Sequence, residues 1–209
     1  MDSLISVDYK ILSMNPYSAV RDFENFMSSY VGSKYAIAVD NCTNAIFLCC
    51  KYLKVKKVLL PKRTYVSVPC AVIHAGGSVS FEDSRWIGSY QLKPYPIFDS
   101  ACLLKKNMYS PGSFQCVSFS ANKPVAIGKG GMIFTDDENA NHWFRMARYS
   151  GRREIPLNED EITMLGWNMY MTPEQASRGL VLASFLKEEN LVKPKYPDLS
   201  RFEIYTRGM

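Results

Sequence analysis

Histidine is scarce in this 209-residue chain: His74 and His142 are its only two, far apart and away from any cysteine pair. Zinc needs clustered ligands at set spacings, so no metal site is expected. Six cysteines are present, but Cys49 and Cys50 are adjacent and no C-x-x-C occurs. That pattern suits reduced thiols in a cytoplasmic protein better than a disulfide framework. No window is long and apolar enough to span a bilayer. The opening residues MDSLISVDYKILS interleave Asp2, Asp8 and Lys10 with apolar side chains, unlike the continuous apolar core of a signal peptide. Internal repeats and low-complexity tracts are missing too.

Net charge is +5, and the densest basic stretch holds Lys51, Lys54, Lys56, Lys57, Lys62 and Arg63. Aromatic residues do not alternate with these cations as a stacking platform requires, so nucleic acid is not an expected partner. An anionic small substrate is compatible with the charge.

What the chain does have is apolar content, 47% of residues, enough to bury one substantial core. Val20, Phe23, Phe26, Met27 and Tyr30 recur at helical spacing and predict a helix from Pro16 to Val31, stopped by Gly32. A strand is expected at Tyr35–Val39, followed by a helix capped from Asp40, Asn41 or Thr43. The unit repeats with a strand at Val58–Leu60, a helix from about Tyr65 to His74, and a strand at Ser78–Glu82. Strands at Pro96–Phe98, Phe114–Phe119 and Met132–Thr135 follow, with helices at about Glu138–Tyr149 and Pro173–Glu188. Thr172, Pro173 and Gln175 form a capping-box pattern. Alternating strands and helices predict an α/β fold with a mixed, mostly parallel sheet flanked by helices.

Ligands of such sheets sit beyond the carboxyl ends of the strands, which draws attention to the residues there. Asp40-Asn41-Cys42-Thr43 opens a helix whose free N–H groups suit a phosphate. Asp99 ends one strand, Ser118 and Lys123 flank the end of another, and Gly128-Lys129-Gly130-Gly131 turns the chain back. Taken singly, each has an ordinary structural role; the ordered set points to cofactor chemistry.

In that order the residues resemble the DegT-type sugar aminotransferases, fold type I enzymes dependent on pyridoxal 5'-phosphate. Tyr30 through Val39 is similar to the family's opening helix and strand, with Asn41, Cys42 and Thr43 on its phosphate turn. Pro61 through Ser67 resembles the segment whose aromatic residue, here Tyr65, stacks on the cofactor ring. Phe98-Asp99-Ser100-Ala101 resembles the strand end whose aspartate meets the pyridine nitrogen, with Cys102 near the phenolic oxygen. Ser118 through Lys123, then Gly128 through Gly131, resembles the Schiff-base lysine segment. Gly166-Trp167-Asn168 resembles the motif whose asparagine reaches the phosphate in the neighbouring subunit.

The resemblance implies the large domain of a fold type I aminotransferase, with Lys123 and Asp99 as catalytic residues. Asn41, Cys42, Thr43, Tyr65, Cys102, Ser118 and Asn168 join them around the cofactor. It implies a homodimer with shared active sites that moves an amino group from glutamate or glutamine to a keto-sugar nucleotide or a similar small ketone or aldehyde. Lysine rather than histidine at 123 favours this over a dehydratase offshoot of the family. The alternative is a dimeric cofactor-binding or scaffold protein without turnover. The chain departs from the family at Cys42 (usually glycine), Cys102 (glutamine), Pro124 (asparagine) and Tyr170 (arginine). Its stretch between Glu82 and Tyr95 is shorter than usual. A truncated large domain is expected over 1–190, with 191–209 a short extension in place of the small domain and a pocket more open to water.

Overall fold

The computed structural model describes residue 15 and residues 17–205. The opening stretch read above for a signal peptide, and Pro16 at the expected start of the first helix, lie outside the described residues.

Helix α1 (Ser18–Val31) buries Val20, Phe23, Met27 and Val31 and ends at Gly32, whose left-handed backbone (φ 79°) donates its N–H to the Ser28 carbonyl. Strand β1 (Tyr35–Val39) leads into α2 (Cys42–Tyr52), capped by the Asn41 side chain on the Asn44 N–H. Strand β2 (Lys57–Pro61), α3 (Ser67–His74) and β3 (Ser78–Glu82) form a right-sized crossover unit, and β2 and β3 pair in parallel. Short strands β4 (Tyr90–Gln91), β5 (Ile97–Asp99) and β6 (Leu103–Lys105) precede β7 (Phe114–Ser118) and β8 (Gly131–Thr135). Helices α4 (Glu138–Ala147) and α5 (Pro173–Ala183) follow, then β9 (Glu189–Leu191). The capping box expected at Thr172 and Gln175 opens α5.

The main sheet runs β1-β8-β7-β5-β4. Its residues alternate between two cores: Ile37, Val39, Cys116 and Ile133 face α2, α3 and α4, while Ala36, Ala38, Val117, Met132 and Phe134 face α1 and α5. Both faces are therefore covered, as the apolar strand runs required. The expectation of a mostly parallel sheet is corrected here. The pairs β1–β8, β8–β7 and β5–β4 are antiparallel, and only β7–β5 is parallel. Parallel neighbours need a crossover, usually helical, whereas the link between β7 and β8 carries no helix and doubles back through Gly128 and Gly130, both at positive φ.

A second correction concerns α5, which ends at Ala183 instead of running on to Glu188. Beyond it the chain turns and pairs with β6: Lys106 N–H donates to the Glu188 carbonyl at 2.8 Å, and the Asn190 amide donates to the Leu104 carbonyl at 3.0 Å. The N–H groups of residues 184–186 still bond back into the helix end, and beyond them pairing with β6 takes the place of the expected last helical turn. Strand β9 thus straddles residue 190. From there the chain returns across the sheet ends, burying Leu199 completely, and the Leu199 N–H donates to the Lys62 carbonyl at 2.7 Å. Helix α3 begins at Ser67, two residues later than expected at Tyr65. No helix among the described residues is long and apolar enough to cross a membrane.

Candidate active site

The carboxyl ends of β5 and β7, the start of α2 and the loop before β8 converge on a cavity of about 310 Å³, within the usual range for small-molecule sites. Asn41, Cys42, Thr43, Tyr65, Asp99, Ser118 and Lys123 all line it. Lys123 sits in a turn closed by its own N–H on the Ser120 carbonyl (3.0 Å), and its Nζ lies 3.5 Å from Cys102 Sγ. The structure therefore brings eight of the nine predicted residues together. Asn168 does not line the cavity: it is exposed and bridged to Tyr149, just after α4.

The floor of the site is Asp99. It is 5% exposed, accepts from Tyr90 Oη at 2.8 Å and from the Ala101 N–H at 3.0 Å, and shares its surroundings with Lys123. Burial pushes its carboxyl above the ordinary carboxylate value, although the Ala101 amide, the Tyr90 hydroxyl and the Lys123 charge pull the other way. A buried carboxylate in this condition favours a cationic neighbour. Burial, reinforced by Asp99, likewise holds the Cys42 thiol well above its usual range.

Another part of the lining is a cradle of hydroxyl and backbone N–H groups at the start of α2. Asn41 satisfies the Asn44 N–H with its side chain (2.8 Å) and the Ala45 N–H with its carbonyl (3.1 Å), leaving the amides of Cys42 and Thr43 at the helix start beside the cavity. Thr43 Oγ1 lies 2.6 Å from Ser67 Oγ, and Ser118 Oγ accepts from the Ser120 N–H at 3.3 Å. Gly131 permits this cradle: a Cβ there would fall 2.5 Å from the Asn41 carbonyl carbon and the Cys42 nitrogen. Tyr65 covers the mouth, 54% exposed. A phosphate-bearing aromatic aldehyde fits these residues, since the cradle would take its phosphate, Asp99 a protonated ring nitrogen and Lys123 its carbonyl carbon.

Sequence reasoning missed Tyr90, the hydroxyl partner of Asp99, and Tyr196, whose ring lies 6.0 Å from that of Tyr65 and whose Oη is 3.7 Å from Cys102 Sγ. Tyr90 sits on a two-residue strand without periodicity, and nothing local marks Tyr196. Ser67 was visible only as part of the Pro61–Ser67 segment.

A family model described as the DegT/DnrJ/EryC1/StrS aminotransferase family matches residues 7–97 and 102–200. The chain belongs to that family. Asp99 falls in the interval between the two matched segments, so its place rests on the geometry above. Among curated relatives of the DegT/DnrJ/EryC1/StrS family, the chain is 26% identical to the spore coat polysaccharide biosynthesis protein SpsC of Bacillus subtilis, over 77% of this chain and 55% of that protein. It is 24% identical to GDP-perosamine synthase of Caulobacter vibrioides, over 76% and 54%. In fold it is similar to PseC of Helicobacter pylori, an aminotransferase of pseudoaminic acid biosynthesis, with a TM-score of 0.69 and 16% identity, covering 80% of this chain and 57% of that one. The chain thus spans about half the length of the curated relatives it matches.

Proposed function

We propose that this chain binds pyridoxal 5'-phosphate covalently through Lys123 and transfers an amino group from glutamate or glutamine to a keto-sugar nucleotide. The observation that carries this reading is the convergence of the Lys123 amine, the buried Asp99 carboxylate and the free helix start on one cavity. The bound cofactor would supply an electron sink for the carbon that loses its proton. Lys123 Nζ would hold the cofactor, be released by the incoming amine, and then carry the proton between substrate carbon and cofactor. Asp99, itself positioned by Tyr90 and the Ala101 N–H, would keep a proton on the ring nitrogen. Thr43, Ser118 and the Cys42 and Thr43 amides would grip the phosphate, and Tyr65 would lie against the ring.

Asn168 belongs in this reading to the site of a second copy, with which the chain forms a homodimer in the cytoplasm. Leu157, Ile162 and Leu165, the last 91% exposed, leave an apolar surface on the segment just before it. The purified protein should absorb in the visible range, and borohydride should fix the cofactor mass to the peptide containing Lys123. A colourless protein that cannot be reconstituted overturns the proposal. A coloured protein whose spectrum ignores glutamate and glutamine favours the cofactor-binding scaffold without turnover.

A further inference from the structure

An amine and a thiol meet at the edge of the cavity. Lys123 Nζ donates to Cys102 Sγ at 3.5 Å, and among the described residues no other lysine hydrogen-bonds to a cysteine. We infer that Lys123 and Cys102 form an oxidative modification site, at which hydrogen peroxide joins them through a sulfur–nitrogen bond in the cofactor-free chain. The cross-link rests on this contact alone; its consequence, a lysine closed to the cofactor, rests on the function proposed above.

Backbone hydrogen bonds hold both partners in place. The Lys123 N–H donates to the Ser120 carbonyl at 3.0 Å, and the Cys102 carbonyl accepts from the Val192 N–H at 2.9 Å. Bond formation therefore needs only side-chain rotation, and the flexible lysine stem closes the remaining gap. Cys102 is 2% exposed, which shuts out bulky thiol reagents. Its neighbours Ala101, Lys123 and Tyr196 line the cavity of about 310 Å³, which gives a solute as small as peroxide a way in.

The chemistry balances with one oxidant molecule. Attack by the sulfur breaks the peroxide O–O bond: one oxygen stays as a sulfenic acid, the other leaves as water, and the sulfur is oxidised by two electrons as the peroxide is reduced. The neutral Lys123 amine then attacks the sulfur. The S–N bond forms as the S–O bond breaks, and the amine gives one proton to the departing hydroxide, which leaves as a second water. Tyr196 Oη lies 3.7 Å from Sγ, and burial with the Cys102 contact keeps this phenol protonated, so it is a donor for the departing oxygen.

The other thiols lack this route. Burial holds the thiols of Cys42, Cys49, Cys50 and Cys116 above their ordinary value, away from the thiolate that attacks peroxide. Cys49 and Cys116 lie 3.7 Å apart, so a disulfide is the product open to them. Cys70 faces the Val66 carbonyl at 3.2 Å. Thiols reverse the cross-link: one displaces the amine and leaves a mixed disulfide, and a second frees the Cys102 thiol.

The test is mass spectrometry of the full chain, digested without reduction after peroxide treatment, with cofactor uptake read by absorbance on the same samples. The peptides containing Lys123 and Cys102 should appear joined and lighter by two hydrogen atoms than their sum. Dithiothreitol should separate them, and neither Cys102→Ser nor Lys123→Arg should yield the joined pair. Cofactor uptake by the wild type should fall in proportion to the cross-linked fraction and return with dithiothreitol, and the uptake that Cys102→Ser shows should be the same with and without peroxide. A chain that takes up no cofactor should still cross-link, which separates failure of this site from failure of the proposed function. Oxidation of Cys102 solely to sulfinic or sulfonic acid, its appearance in a disulfide, or a Cys49–Cys116 disulfide with Cys102 untouched overturns the proposal.

Discussion

At the residue scale, the chemistry depends on a few side chains whose environments can be changed one at a time. Lys123→Ala should abolish borohydride-stable attachment of the cofactor, checked by mass spectrometry of the digested protein. Asp99→Asn should still attach it but lose turnover by about 10²–10³-fold, because a neutral amide no longer holds a proton on the ring nitrogen; kcat from a glutamate-coupled assay decides. Asp99 also gives a sign. Its folded-state carboxyl lies above the ordinary value because it is buried, so its ionisation weakens the fold as pH rises through its titration. A cationic ring nitrogen opposite it reverses that cost. Added cofactor should therefore raise the melting temperature more in the wild type than in Asp99→Asn at neutral pH, and an equal rise in both would remove Asp99 from the ring.

At the scale of elements, one buried ionic cluster joins α1, β1 and α4. Glu24 accepts from the Ala38 N–H at 2.8 Å and from Arg145 at 2.9 Å, and it pairs with Arg148, which also reaches Glu154 at 2.9 Å. Burial pushes the Glu24 carboxyl up, but Arg148, Arg145 and the Ala38 amide outweigh it and hold it below its ordinary value of 4.5. A lowered native value means the stabilisation is present above pH 4.5 and is lost as pH falls through the native value. Arg148→Met leaves Glu24 buried without its main partner and should cost about 3–5 kcal/mol in urea unfolding at pH 7, with a smaller loss near pH 3. Equal losses at both pH values would show that the cluster does not titrate with folding. The β8–α2 contact is a second joint. Gly131→Ala must push the helix start away from the cradle, so cofactor affinity should fall, measured by the absorbance of reconstituted protein, along with about 1–3 kcal/mol of stability.

At the scale of the whole molecule, the proposed dimer couples assembly to the site. If Asn168 completes the partner's phosphate cradle, Asn168→Ala should weaken cofactor binding by about 1.5–3 kcal/mol, the range for a hydrogen bond to a charged group. Leu165→Glu, at the exposed apolar surface beside it, should raise the monomer fraction and release cofactor on dilution. Sedimentation velocity with cofactor absorbance recorded in the same run reads both. A monomer that retains its full complement of cofactor would exclude the shared site.

Local sequence was enough to place most of the elements and most of the candidate site. Apolar periodicity marks α1 and a short apolar run marks β1, Gly32 ends α1 and Asn41 caps α2, and Asn41 through Thr43, Asp99 and Lys123 stand where strands hand over to loops or helices, because those features are set by neighbours in the chain. What local pattern does not encode is which strands pair and in which sense. The antiparallel return of β8 beside β1 and β7, and the capture of residues 189–191 by β6 in place of helix, come from hydrogen bonds between segments far apart in sequence. Tyr90 under Asp99, Tyr196 beside Tyr65 and Trp86 beside Arg63 were decided at the same level, since only packing of the finished sheet brings those rings and charges within reach of one another.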